Sequence, residues 1–272
     1  MSLVIATVDY IQLTPWDLAL AAVLLLIPAA ISIALRLGLE KNLAIASFRT
    51  VVQLAFLGLI LEWVFGADRW FYVVPMLAVM LFFAARAAIQ RSTKRFPGSY
   101  LTAFAALTLA TSVTTFGVTE LVIGVEQWYE PQYVIPLLGM LLGNGLTGIS
   151  LSLDRMLSDL MAQRSAVEAR LALGASLWRA CRPWVREGLR NGMIPIINSM
   201  MIVGLVSLPG MMTGQILAGV PPADAVAYQI LIMFMIAAAT ALAVIVLCLI
   251  AFKVVSHPEH RVRWDAITRH EG

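Results

Sequence analysis

Apolar residues gather into runs near positions 16 to 35, 43 to 64, 70 to 90, 100 to 124, 132 to 150, 191 to 219 and 226 to 252. About 20 apolar residues in a helix, rising 1.5 Å each, cover a hydrocarbon core about 30 Å thick. Lipid offers no partner to backbone polar groups, so each run pairs its own as a helix. The pattern therefore predicts an all-α, polytopic integral membrane protein with about seven transmembrane helices. Aromatic clusters at Trp16, at Trp70, Phe71 and Tyr72, and at Trp128 and Tyr129 mark the water boundaries.

Residues 191 to 223 hold no Asp, Glu, Lys, Arg or His. One straight helix over the roughly 27 residues from Met193 to Gly219 would outreach the hydrocarbon core. Pro209 donates no backbone hydrogen bond and Gly210 accepts unusual conformations, which predicts a break at Ser207, Leu208, Pro209 and Gly210. Irregular backbone at membrane depth is tolerated where it is buried in protein or lines a cavity. The segment also carries Asn198, Ser199, Ser207, Thr213 and Gln215, polar groups that need partners in an apolar setting. The candidate translocation pathway is accordingly Asn198, Ser199, Met200, Ser207, Pro209, Gly210, Met211, Met212, Thr213 and Gln215. The bland alternative is a proline kink that only shapes packing.

Between Leu151 and Arg190 the chain turns polar, and Leu153, Met156, Leu157, Leu160 and Met161 recur at helical spacing among charges. An amphipathic helix leaving the bilayer is expected there. Residues 168 to 183, EARLALGASLWRACRP, follow it. Ala169 and Ala172 keep one surface low, Gly174 is suited to ending a helix in a left-handed conformation, and Ser176 to capping the next. Glu168 offers a charge and Trp178 a large anchor, so the segment fits docking to another subunit. On residue chemistry alone, a connector lying on lipid headgroups with snorkelling arginines is slightly favoured.

Charge fixes the expected orientation. Arg36, Lys41 and Arg49 follow the first run, Arg86, Arg91, Lys94 and Arg95 the third, seven arginines lie within 151 to 190, and Lys253, Arg261, Arg263 and Arg269 close the chain. Arg69 is the lone basic residue on the other side. Basic residues are retained in the cytoplasm, which places the amino terminus outside and the carboxyl terminus inside. The net charge of +3 reflects this retention and contact with anionic lipid, and gives no reason to infer nucleic acid. With 60% hydrophobic and 13% charged residues, the composition excludes a soluble domain. Cys181 and Cys248 imply no disulfide framework. No Lys or Arg precedes the first apolar run, so retention of that span rather than cleavage of a signal peptide is expected.

Gly139, Gly143, Gly145 and Gly148, and the alanines at 237, 238, 239, 241 and 243, predict close helix packing, internal or with a second copy. Arg49 and Gln53, four apart on one helix face, form a secondary candidate site. Histidines occur only at 257, 260 and 270, in the tail, where solvation is the simpler expectation and metal binding the alternative. Methionine pairs at 200 and 201 and at 211 and 212 flank the break. Thioethers suit Cu(I), while imidazole and carboxylate suit Fe(II), and methionine is also an ordinary packing residue.

None of the three lysines, Lys41, Lys94 and Lys253, follows a glycine, so the phosphate-cradling G-x-x-x-x-G-K-[ST] loop is absent. No catalytic triad or membrane-depth carboxylate pair suggests an enzyme. Nor does an acid sit near mid-membrane, which disfavours a proton-coupled secondary transporter working alone.

Glu168-Ala169 with Gly174 six residues after the Glu resembles the EAA loop by which ABC transporter permeases engage their ATPase subunits, with Arg170 at the family's second alanine. Together with INSMM, SLPGMMTGQILAG and RTVVQL at 49 to 54, nearly the whole chain resembles the FetB family of iron-export ABC permeases. That resemblance implies a single permease domain, 1–272, in the inner (plasma) membrane. It implies two copies paired with two cytosolic ATPase subunits, ATP consumed by the partner with no cofactor bound here, and coupling through Glu168, Ala169, Gly174, Ser176 and Trp178. It also takes in plant relatives linked to aluminium tolerance and nucleotide-sugar transport, so nucleotide sugar stands beside iron as cargo. The competing classes are an ion-coupled transporter or channel and a non-transporting assembly factor.

Overall fold

The structure, a computed structural model, describes residues 14–67, 69–118, 130–257, 259 and 261–269. The expectations for Trp128, Tyr129, His260 and His270 fall outside these residues. The described chain is built of helices α1 (Pro15–Val23), α2 (Leu26–Ala34), α3 (Glu40–Ala67), α4 (Trp70–Gln90), α5 (Ser99–Val118), α6 (Pro131–Ala162), α7 (Arg164–Ala172), α8 (Leu177–Ile202), α9 (Gly210–Leu217) and α10 (Pro222–Val255). Four two-residue strands accompany them: β1 (Lys94–Arg95), β2 (Ser256–His257), β3 (Arg261–Val262) and β4 (Thr268–Arg269).

The protein is an all-α polytopic membrane protein. Among the described residues, six helices are long and apolar enough to cross a bilayer: Trp16–Ala34, Glu40–Gly66, Trp70–Gln90, Ser99–Val118, Pro131–Ala162 and Pro222–Val255. The seventh expected run, 191 to 219, is divided between the end of α8, a non-helical stretch and α9. The amphipathic helix expected after 150 is not separate either. It continues α6 without interruption, giving 32 residues and a length of about 48 Å, well beyond a hydrocarbon core.

The chain divides into two compact units, Met1–Asp68 with Gln215–Val220, and Arg69–Gly214 with Pro221–Gly272. In the first, Thr14 and Asp17 form a reciprocal capping box at the start of α1. The corner between α2 and α3 is fixed by buried Ser32, whose hydroxyl donates to Glu40 Oε2 at 2.6 Å and accepts from the Leu39 amide at 3.0 Å.

In the second unit α6 is the central helix, with α4, α5, α8 and α10 packed around it. Glycine permits the closest of these approaches. A Cβ on Gly192 would lie 2.8 Å from the Gly148 carbonyl oxygen, and one on Gly188 would lie 2.7 Å from Met156 Cβ. Rising numbers on α8 meet falling numbers on α6, so these two helices are antiparallel. On α10, Val244 meets Gly148, and Cys248 Sγ lies 2.8 Å from Ser152 Oγ. Numbers rise together there, so α10 runs parallel to α6 and antiparallel to α8. The glycine pattern therefore serves internal packing at 145, 148, 188 and 192, while Gly143 has nothing within 4 Å of a Cβ. Ala239 and Ala243 of α10 are buried, as their small size suggested.

The tail differs from the expected solvated segment. β2 pairs with β3 and β4 with β1, and Val262, Ala266 and Ile267 are buried. Three apolar side chains spaced along a short segment outweighed its charge.

Gly192→Ala is expected to destabilise the protein by about 1–3 kcal/mol through overpacking against backbone, whereas Gly143→Ala should be neutral or slightly stabilising. Thermal unfolding of the detergent-solubilised variants measures both, and equal shifts would contradict the packing assignment.

Candidate functional site

The charge-free stretch breaks earlier than its proline suggested. α8 passes through Pro183 and Pro195 and ends at Ile202. Gly204, at φ +82°, then turns the chain, and its amide donates to the Ser207 carbonyl at 2.9 Å. A short parallel bridge between Val203 and Ser207 completes this knot of backbone. Pro209 lies immediately before α9, a position that asks for no amide donor. Its carbonyl accepts from the Thr213 amide at 3.0 Å and from Thr213 Oγ1 at 3.1 Å. The Ser207 and Pro209 carbonyls are thus already engaged within the chain.

Beside the break lies a cavity of about 590 Å³ lined by Met200, Gly204, Pro209 and Met212 and, from α10, by Gln229 and Met233. Of the ten residues expected on a pathway, Met200, Pro209 and Met212 line it. Asn198, Ser199, Ser207 and Gly210 are exposed, with Ser199 Oγ donating to the Pro195 carbonyl at 3.0 Å. Met211 packs with the neighbouring core, and Thr213 is half-buried. Gln215 belongs to the other unit; its Oε1 is buried without a partner.

Gln229 was missed by the sequence reading. It is only 7% exposed and its Oε1 has no hydrogen-bond partner among the described residues. A buried acceptor left unpaired costs about 1–3 kcal/mol, a cost that a water, a donor group or a cation entering the cavity would relieve. Thr240 Oγ1, 1% exposed, is likewise unpartnered. Eleven residues separate the two, which puts both on one stripe of α10 about 16 Å apart. The available signal was that Gln229 is the one amide side chain in a helix whose charged residues, Asp224 and Lys253, lie only near its ends. Six methionines, 140, 193, 200, 211, 233 and 235, pack at this end of the unit, giving a soft, adaptable lining.

The coupling candidates lie on one turn. α7 closes with a Schellman arrangement in which the Ala175 amide donates to the Arg170 carbonyl at 3.0 Å and the Gly174 amide to Leu171 at 2.9 Å. Gly174 is left-handed at φ +83°, and Ser176 caps α8 by accepting from the Arg179 amide. Glu168, Ala169, Gly174, Ser176 and Trp178 are all exposed. Glu168 is held by Arg164 at 2.8 Å, and Trp178 stacks edge-on against Phe252 at 5.1 Å, so neither is idle. Leu173, unremarked in the sequence, stands at the apex with 87% exposure. The turn is braced by buried Val167 and by Arg170 over the Trp184 ring at 5.0 Å and Arg164 over Trp264 at 5.4 Å. Behind it, burial pushes the Cys181 thiol up to about 11, which makes it a poor nucleophile.

Arg49 and Gln53 sit a turn apart on α3, both exposed and bonded to no described residue. Among the described residues no group of three His, Cys, Asp or Glu side chains converges as a metal site. His257 Nδ1 instead accepts from the Glu259 amide at 3.2 Å.

Residues 15–255 match the sequence profile of the uncharacterised protein family UPF0014. A Synechocystis protein described as a UPF0014 membrane protein is 40% identical over 200 residues, 74% of this chain and 77% of its own. The Escherichia coli protein named "Probable iron export permease protein FetB" is 30% identical over 251 residues, 92% of this chain and 95% of that one. The Arabidopsis thaliana protein named ALUMINUM SENSITIVE 3 is 32% identical over 223 residues, 82% and 80% of the two chains. No solved structure matches the chain.

Gln229→Leu is expected to leave thermal stability unchanged or raise it by about 1 kcal/mol, because it removes an unpaired acceptor. A clear loss of stability in the purified variant would show that the amide is held by a partner within the fold.

Proposed function

The chain belongs to the UPF0014 family, and from that membership we propose that it is the permease subunit of an ATP-driven exporter of iron. Two copies work in the inner membrane with two cytosolic subunits that bind and hydrolyse ATP. This chain supplies the passage. Its sequence has no phosphate-cradling loop of its own, and its Escherichia coli relative carries the name of an iron export permease.

The observation that carries the reading is the α7–α8 turn. A rigid, braced corner that ends in a bare leucine is suited to insertion into a pocket on another subunit, where an apolar side chain buries its area on docking. α8 leads from that turn directly to the broken stretch, so a push at Leu173 is delivered along one helix to Gly204 and the cavity beside Gln229. The antiparallel course of α8 beside α6 and α10 supports a return of the chain across the membrane through α8 and the break that follows it. With the basic ends of these helices retained inside, the amino terminus is outside, the carboxyl terminus is cytoplasmic and Leu173 faces the cytosol.

Iron(II) would pass as cargo held briefly by oxygen atoms rather than as a bound cofactor. Gln229 Oε1 and Thr240 Oγ1 are buried oxygens on α10 without a partner among the described residues, and Fe(II), better served by imidazole and carboxylate, would be held by such neutral oxygens weakly enough to be released. The methionines give the cavity room to reshape as the cation moves.

Leu173→Asp and Gly174→Val are expected to cut ATP-driven flux about tenfold or more, while leaving the permease inserted and folded. The assay is reconstitution of the permease with its ATPase in vesicles, offered Fe(II), other divalent metals and nucleotide sugars in turn. Unchanged flux in both variants would overturn the docking role. Flux of equal rate without the ATPase would replace an ATP-driven machine with a self-sufficient transporter or channel, and preference for a nucleotide sugar would replace the cargo.

A further inference from the structure

A second cavity, of about 1060 Å³, lies between α8 and α10 and is lined at one end by Arg182, Arg186 and Arg190 and at the other by Met193, Val244 and Ile245. The three arginines are spaced four apart on one exposed face of α8, spanning about 12 Å along its axis. No ion pair or hydrogen bond ties any of them to a described residue. The one carboxylate in the groove, Glu187, receives a hydrogen bond from Asn191 Nδ2 at 3.4 Å. Three guanidiniums against one carboxylate leave an excess of positive charge beside an apolar floor, and each guanidinium raises the cost of holding the next.

The groove lies where the polar and the charge-free parts of α8 meet, since no charged residue follows Arg190 on that helix. Its charged end is therefore at the depth of lipid headgroups and its apolar end at the depth of acyl chains. We propose that this groove binds an anionic glycerophospholipid, with phosphate oxygens on Arg182, Arg186 and Arg190 and an acyl chain along Met193, Val244 and Ile245. A guanidinium presents a planar fork of donors that matches phosphate oxygens, and basic pockets between membrane helices suit such headgroups. A zwitterionic headgroup sets its own ammonium against the same arginines and gains little. Because the groove shares α8 with the broken stretch, a lipid seated there steadies the helix without entering the passage. The site is independent of what the protein transports.

The test uses the full-length protein, delipidated in detergent and incubated with phosphatidylglycerol or phosphatidylcholine, with bound lipid counted by native mass spectrometry. About tenfold preference for phosphatidylglycerol is expected. It should be lost in R182Q/R186Q/R190Q, largely kept in R182K/R186K/R190K, and unchanged in K41Q/R91Q, which removes two basic residues elsewhere. Equal retention of both lipids, or equal loss in K41Q/R91Q, would overturn the site. Displacement of phosphatidylglycerol from the wild-type protein by millimolar inorganic phosphate would also overturn it, in favour of a site for free anions. That competition needs no variant, so a glutamine triple that fails to fold leaves the proposal open to refutation.

Discussion

The second unit depends on one close contact, the meeting of Gly148 on α6 with Gly192 on α8. Each glycine would place a Cβ within 3.0 Å of the other's carbonyl oxygen, so no side chain fits at either position without moving backbone. In lipid the hydrophobic effect does little to draw helices together, and association rests on contact of this kind. Bringing the backbones together there orients the rest of α8: Gly188, Gly192 and Ile196 face inward, and Arg182, Arg186 and Arg190 face out. The same contact sets the height at which α8 ends and the cavity begins.

From that constraint the two ends of α8 acquire different characters. Beyond Gly192 the helix carries no charge, approaches the methionine-rich cluster and stops at Ile202, where Gly204 folds the backbone upon itself. Before Gly188 it carries arginines and leads back to the Schellman turn. A single helix thus joins an exposed, well-braced corner to a place where helical order fails. The break satisfies several of its own backbone groups, so the polarity left open to a visitor lies on α10, at Gln229 and Thr240, rather than on the broken strand of chain.

Much of this was legible in the residues. Apolar runs revealed the helical membrane architecture, Gly174 and Ser176 announced the α7–α8 turn in detail, and the absence of charge over 191 to 223 located the break to within a few residues. The expected break at Ser207 to Gly210 falls on its second half, where Ser207, Leu208 and Pro209 are non-helical, but the helix already ends at Ile202. Pro183 and Pro195 lie inside α8 without ending it, Pro209 merely precedes α9, and Gly204 makes the turn. Spacing identified small residues but not their partners, since Gly143 and Gly148 look alike in sequence and only one meets a neighbour. Gln229 stands in the next apolar run, outside the charge-free stretch that drew the polar candidates together, and a buried amide becomes conspicuous only when its missing partner is seen. The tail's pairing with β1 rests on contacts about 170 residues apart, which no local pattern encodes.

The proposed function implies that a push from the ATPase on the α7–α8 turn changes which side of the membrane reaches the cavity beside Gln229. Met233 lines that cavity, and Cys181 and Cys248 are both buried, so a cysteine at 233 would dominate the labelling. Modification of Met233→Cys by a membrane-impermeant thiol reagent, applied from each side of vesicles holding permease and ATPase, is the most direct measurement. The account predicts that the reactive side switches when a non-hydrolysable ATP analogue is added. Labelling from the same side with and without nucleotide would contradict it.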